Sequence, residues 1–149
     1  MGVSTVATIS QEDLAMTYQV NLFGQVDLTQ RLLPALKKAP AARIVNLSSI
    51  LASLTLQADP KSETYGVKVF AYNSSKAALN SFTIHLAYEL RNTKIKVNAA
   101  HPGWVLTDLG GPNAPMSVQE GAATSVRLAT LGEDGPTGGY FFLDRPLPW

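Results

Sequence analysis

Arg43-Ile44-Val45-Asn46-Leu47-Ser48-Ser49 and Ile95-Lys96-Val97-Asn98-Ala99-Ala100 decide the fold. Both are short apolar runs rich in β-branched residues, so they read as buried strands over 43–48 and 95–100. The first ends in two serines and the second in His101-Pro102-Gly103, which stops a strand. A third run, Gly139-Tyr140-Phe141-Phe142-Leu143, has the same character.

The segments between the strands have helical spacing. Residues 11–38 predict one long helix, with Ser10 as N-cap and Glu12 and Asp13 in the first turn. Asn21 and Gly24 are poor helix-interior residues, and together they point to a kink or a buried polar network there, or to a solvent-facing Asn. Residues 50–70 read as a polar loop. Tyr72–Arg91 predicts a second helix with Leu79, Phe82, Leu86 and Leu90 on its apolar side. Ser117-Val118-Gln119-Glu120 is a capping box that opens a third helix to about Leu131, with Gly132 placed to close it. Strands alternating with helices imply right-handed crossovers and a parallel sheet of about three strands. The first strand then has a free edge.

Composition narrows the class. The chain has 149 residues, 46% apolar and 15% charged, with net charge +1 and no cysteine. One domain over 1–149 is expected. A disordered chain would carry more charge and fewer apolar residues. The balanced charge argues against a nucleic-acid partner. No apolar run is long enough to cross a membrane, and Met1-Gly2-Val3-Ser4-Thr5 lacks the pattern of a secretory signal. A soluble cytoplasmic protein is the default. His85 and His101 form no ligand spacing, and no metal site is assigned.

Four short stretches carry chemistry. Tyr72 and Lys76 lie one helical turn apart, about 6 Å between Cβ atoms. A cation there stabilises a phenolate and suits the tyrosine to acid/base work. Taken alone, the spacing also fits a surface pair. Ser48-Ser49 sits at the carboxyl end of a parallel strand, where open α/β sheets bind ligands, although an isolated serine pair is more often a turn. Pro102-Gly103-Trp104-Val105-Leu106-Thr107-Asp108 leaves the second strand at the same edge. Asn21 interrupts the first helix.

Taken in order, Asn-x-x-Gly, Asn-Leu-Ser-Ser, Tyr-x-x-x-Lys and Pro-Gly-x-Val-x-Thr-Asp resemble the C-terminal part of a short-chain dehydrogenase/reductase. The resemblance runs from about Ser10 to Trp149. The stretches Glu120-Gly121-Ala122 and Gly135-Pro136-Thr137-Gly138-Gly139, and the final Trp149, are similar to the carbonyl-reductase branch. The resemblance implies a partial Rossmann-like sheet with flanking helices, lacking the N-terminal dinucleotide-binding half. It implies NADP or NAD as cofactor and a small carbonyl or alcohol as substrate. Tyr72 would protonate the carbonyl oxygen and Ser49 would hydrogen-bond it. Lys76 would hold the nicotinamide ribose, and Asn21 would anchor a water leading from Lys76 to solvent. Pro102, Gly103, Val105 and Thr107 would line the nicotinamide carboxamide.

Ser49 and Tyr72 are 23 positions apart, more than in most of the family and similar to carbonyl reductases. No Gly-rich phosphate turn occurs, and Gly2-Val3 reads as the last remnant of the strand that precedes Ser10 in the family. A cut there exposes apolar surface, so a homo-oligomer is expected, through the free edge or through the two long helices. Three functions follow: a NAD(P)-dependent oxidoreductase, a non-catalytic truncated assembly module, or a cofactor-free hydrolase or lyase reusing Ser49, Tyr72 and Lys76.

Overall fold

The computed structural model describes residues 5–149, so the expected remnant at Gly2-Val3 lies outside the described residues. Four strands form one mixed sheet in the order β1-β2-β3-β4: β1 Arg43–Leu47, β2 Lys96–Ala100, β3 Tyr140–Phe142 and β4 Arg145–Pro146. β1, β2 and β3 are parallel, in the register Val45↔Asn98 and Ala99↔Tyr140. The three expected strands are present, and β4, a two-residue antiparallel edge, is added to them. No hydrophobic pattern marks so short a strand. It returns through a turn at Leu143, whose φ of 54° is held because its N–H donates to Thr124 Oγ1 (2.8 Å). β1 is the other edge, as expected.

The expected long helix is interrupted. α1 (Gln11–Tyr18) runs into a π-turn (Gln19–Phe23), and α2 (Gly24–Leu36) follows. The π-turn holds Asn21, so the unfavourable Asn and Gly do mark a local widening of the helix. Ser10 caps α1 as predicted, accepting from the Asp13 N–H at 3.0 Å. The 50–70 loop contains a 3₁₀ turn (Ile50–Ala52) and a short helix, α3 (Leu54–Ala58). α4 spans Phe70–Glu89 and α5 spans Val118–Ala129. The capping box at α5 is formed in both directions, with Ser117 N–H donating to Glu120 Oε2 (2.7 Å) and Glu120 N–H to Ser117 Oγ (3.2 Å). Gly132 does not close α5. Thr130 does, donating its hydroxyl to the Val126 carbonyl (2.9 Å), while the Arg43 guanidinium takes the carbonyls of Leu131 and Gly132.

Val97, Ile95, Leu86, Ala87, Leu90 and Ala42 form the apolar core at one end of the sheet. Each large side chain buried there contributes roughly 1.5–3 kcal/mol. The side of α4 toward β1 is different. Thr83 Oγ1 accepts from Asn46 Nδ2 (2.8 Å), Asn80 Oδ1 accepts from Ser48 Oγ (2.6 Å), and Lys76 Nζ donates to the Leu47 carbonyl (2.8 Å). Positions 76, 80 and 83 share one helix face. This polar seam fixes α4 along β1 and so fixes where Tyr72, one turn before Lys76, sits relative to the end of β1.

Candidate active site

The site is assembled at the carboxyl ends of β1 and β2. Ser48 and Ser49 follow β1 directly, and the chain geometry gives them opposite tasks. Ser48 is buried and donates to Asn80, which ties it to α4. Ser49 is extended (φ −152°, ψ 148°), and its hydroxyl accepts only a long bond from the Leu51 N–H (3.3 Å). Among the described residues the Ser49 proton is uncommitted. Of the two, Ser49 is therefore the one left able to donate to a ligand.

Tyr72 is half-buried in the first turn of α4. Its backbone carbonyl accepts from Ser75 Oγ (2.8 Å), and its hydroxyl is uncommitted among the described residues. Lys76 Nζ lies 5.9 Å from the Tyr72 ring centroid, close enough for the charge to act on the phenol. Burial lowers the pKa of Lys76. Tyr72 is also within electrostatic reach of Tyr140, a buried phenol that donates to the Ser49 carbonyl. Burial first, and the Tyr72 charge second, push the Tyr140 pKa up. Tyr140 thus stays a protonated donor and links the Tyr72 and Ser49 ends of the site.

Asn21 donates from Nδ2 to Ser75 Oγ (3.0 Å). The π-turn therefore faces the helix that carries Tyr72 and Lys76, but Asn21 does not reach Lys76 directly. Ser75 in turn donates to the Tyr72 carbonyl, so Asn21 is joined to the turn that carries Tyr72 through one hydroxyl.

The loop after β2 is held by close backbone approach. Gly103 has φ +86°, and a Cβ there would sit 2.2 Å from Met116 Sδ. Val105 bridges to Met116, and its side chain turns onto α5, where a Cβ on Gly121 would lie 2.4 Å from Val105 Cγ2. That contact explains the glycine in Glu120-Gly121-Ala122. Of the four residues expected to line the cofactor, Val105 thus directs its side chain to packing. Thr107 is exposed and turned into its own loop, accepting from Gly110 N–H (3.1 Å). It also borders an open hollow with Leu106, Asp108, Gly111 and Pro112. A second hollow lies between α2 and α4, lined by Leu33, Phe82 and His85. Neither hollow includes Ser49 or Tyr72.

The sequence marks His101 only as a residue that ends a strand. The structure buries its ring against Phe142, 5.0 Å between centroids, and uses Nδ1 as an acceptor for the N–H groups of Ile50 (3.2 Å) and Gly103 (3.3 Å). Burial lowers its pKa to about 4. Nothing in a single histidine before Pro-Gly announces this; only the fold brings Ile50 beside it.

A family profile described as short chain dehydrogenase matches residues 1–117. The chain belongs to the short-chain dehydrogenase family. The carbonyl reductase Sniffer of D. melanogaster superposes on 100% of this chain with a TM-score of 0.83 and 31% identity. Retinol dehydrogenase 14 of Homo sapiens is 36% identical over 152 residues, covering 89% of this chain. The C-signal of Myxococcus xanthus is 28% identical over 142 residues, covering 95% of this chain. This short-chain dehydrogenase chain spans 62% of the Sniffer chain, 45% of retinol dehydrogenase 14 and 81% of the C-signal. No helix among the described residues is long and apolar enough to cross a membrane, and no three His, Asp or Glu side chains gather to hold a metal.

Proposed function

We propose that this chain carries the proton-handling half of a NAD(P)-dependent oxidoreductase acting on a small carbonyl or alcohol. The observation that carries the reading is the uncommitted pair of donors, Ser49 and Tyr72, on elements pinned together by the Ser48–Asn80 and Lys76–Leu47 bonds. A nicotinamide dinucleotide, when bound, supplies or accepts the hydride. The residues present suit its nicotinamide-ribose end: Lys76 spends one ammonium proton on the Leu47 carbonyl and keeps others to offer. In the reducing direction Tyr72 gives its phenolic proton to the substrate oxygen while Ser49 donates a hydrogen bond to the same atom. The Lys76 charge stabilises the phenolate left behind. Asn21, through Ser75, steadies the turn that holds Tyr72. Pro102, Gly103 and the backbone at Val105 and Thr107, on the loop that leaves β2, are the proposed contacts on the cofactor side.

Fluorescence titration tests this reading, since Trp104 is exposed on the loop after β2. NADPH or NADH is expected to bind weakly, because the sequence offers no Gly-rich turn for the pyrophosphate and charge-assisted bonds contribute about 1.5–3 kcal/mol each. No binding at millimolar concentration of either removes the reading for this chain. A second reading, a non-catalytic module, is supported by the C-signal relative, whose name is that of a signal. Ester hydrolysis lost in Ser49→Ala would instead favour cofactor-free chemistry. The chain is further proposed to act as a homo-oligomer, since Phe23, Leu28, Leu32, Ile84 and Tyr88 are exposed along the long helices and β1 is an edge of the sheet.

A further inference from the structure

Two side chains hold the two ends of one peptide group beside Ser49. The Ser49 carbonyl accepts from the Tyr140 hydroxyl, and the Ile50 N–H donates to His101 Nδ1 at 3.2 Å. These are the O and the N–H of the same Ser49–Ile50 peptide. A peptide is planar, so fixing both ends fixes the plane and with it the backbone that carries the Ser49 side chain. We propose that His101 and Tyr140 are positioning residues that clamp the Ser49–Ile50 peptide and so aim the Ser49 hydroxyl at the substrate oxygen.

Both clamps are themselves rigidly seated. Tyr140 is 1% exposed, and its ring stacks on Trp149 at 5.4 Å. Trp149 is in turn fastened by its carbonyl, which accepts from the Thr55 N–H (3.0 Å) and Ser53 Oγ (3.2 Å). His101 is 8% exposed, and its ring lies on Phe142. The same Nδ1 also accepts from Gly103 N–H (3.3 Å), so one lone pair joins the serine turn after β1 to the loop after β2. To accept, Nδ1 must be unprotonated. The two N–H groups aimed at Nδ1 select the tautomer with its proton on Nε2, burial keeps the ring neutral at neutral pH, and the raised pKa of Tyr140 keeps the phenol a donor.

The role given to Ser49 rests on the proposed function, while the clamp can be read without turnover. The test uses the whole chain, isotopically labelled, in wild type, His101→Leu, His101→Asn and Tyr140→Phe. Amide exchange reports Ile50 and Gly103, and Hα–Hβ couplings report the Ser49 rotamer. His101→Leu removes the acceptor and is expected to speed Ile50 exchange by about fivefold, the loss of one ordinary hydrogen bond. It is also expected to average the Ser49 couplings. His101→Asn places a carbonyl oxygen near the site of Nδ1 and is expected to restore both. Tyr140→Phe is expected to average the Ser49 couplings as well. Unchanged Ile50 exchange and a single Ser49 rotamer in a folded His101→Leu overturn the proposal. Where that variant does not fold, the ¹⁵N spectrum of His101 in the wild type decides. An unprotonated Nδ1 supports the clamp, and a protonated one at neutral pH ends it. Wild-type chain that shows the clamp but no cofactor binding refutes the proposed function and leaves the clamp standing.

Discussion

Replacing Ser48 and Ser49 by alanine, one at a time, separates stability from chemistry at adjacent positions. Ser48 and Asn80 are 3% and 4% exposed, and their bond is 2.6 Å long. Asn80 Nδ2 already has no partner among the described residues, so Ser48→Ala leaves the entire carboxamide buried and unpaired there. An unsatisfied buried polar group of this kind costs about 1–3 kcal/mol. For a chain of this length each kcal/mol moves Tm by roughly 2–4 °C, so a loss near the middle of that range lowers Tm by about 4–8 °C. Ser49→Ala deletes only the 3.3 Å bond from Leu51 N–H. Its cost is below about 1 kcal/mol, and Tm falls by no more than about 4 °C. Turnover should behave in reverse. Loss of a single hydrogen-bond donor to a developing oxyanion lowers kcat by about 10²–10³-fold, so Ser49→Ala is the catalytic lesion. Thermal melts by circular dichroism at fixed pH measure the first arm, and cofactor-dependent turnover measures the second. Ser48→Ala melting with the wild type, or Ser49→Ala melting lower than Ser48→Ala, refutes the division of labour.

Tyr72→Phe keeps the ring and removes an uncommitted hydroxyl; Tm stays within about 2 °C, while turnover falls by about 10²–10⁴-fold, the range for a lost general acid. His101 is neutral in the fold until about pH 4 but titrates near 6.5 when unfolded, so the unfolded chain binds more protons between those values. Its contribution is complete above pH 6.5 and is lost as pH falls through that window, by about 3 kcal/mol at most. Urea titrations at several pH values on wild type and His101→Asn isolate it; parallel curves would remove the assignment of a buried neutral imidazole. Light scattering at micromolar concentration is expected to give at least twice the 16.0 kDa mass of one chain, and a mass of 16.0 kDa counts against self-association.

What the sequence made legible follows the length scale of each interaction. Strands β1, β2 and β3 were readable because β-branched and aromatic runs report burial within a few residues, and the caps at Ser10 and Ser117 because each is closed by a residue three positions on. Asn21 was readable as an irregularity, and it lies in a π-turn, but its partner Ser75 is 54 positions away and carries no local signal. The apolar side of α4 was found and its polar seam was not, although Lys76, Asn80 and Thr83 have helical spacing. Polar residues at that spacing usually face solvent, and only β1 supplies their partners. Val105 was grouped with the cofactor-lining residues because it sits in the motif, whereas Gly121, outside the motif, determines where its side chain goes. β4 and the role of His101 had no readable signal, since each depends on a neighbour brought in by the fold.

The contacts that organise the proton side of the site all close within the described residues. Ser49 is held by Tyr140 and His101, Lys76 by Leu47, and the start of α4 by Asn21 and the β1 seam. None of these waits on a phosphate-binding turn. The groups proposed to hold and move the proton are therefore preorganised whether or not a dinucleotide is present. The adenine and pyrophosphate ends of a cofactor, by contrast, find no Gly-rich turn in this sequence. The two ends of the site should appear in different kinetic constants. Weak cofactor binding raises KM for the dinucleotide, while intact proton chemistry preserves its dependence on Tyr72 and Ser49 at saturation. A turnover that survives Tyr72→Phe at saturating cofactor would show that the reaction uses some other acid, and that the preorganised pair is ancestry without chemistry.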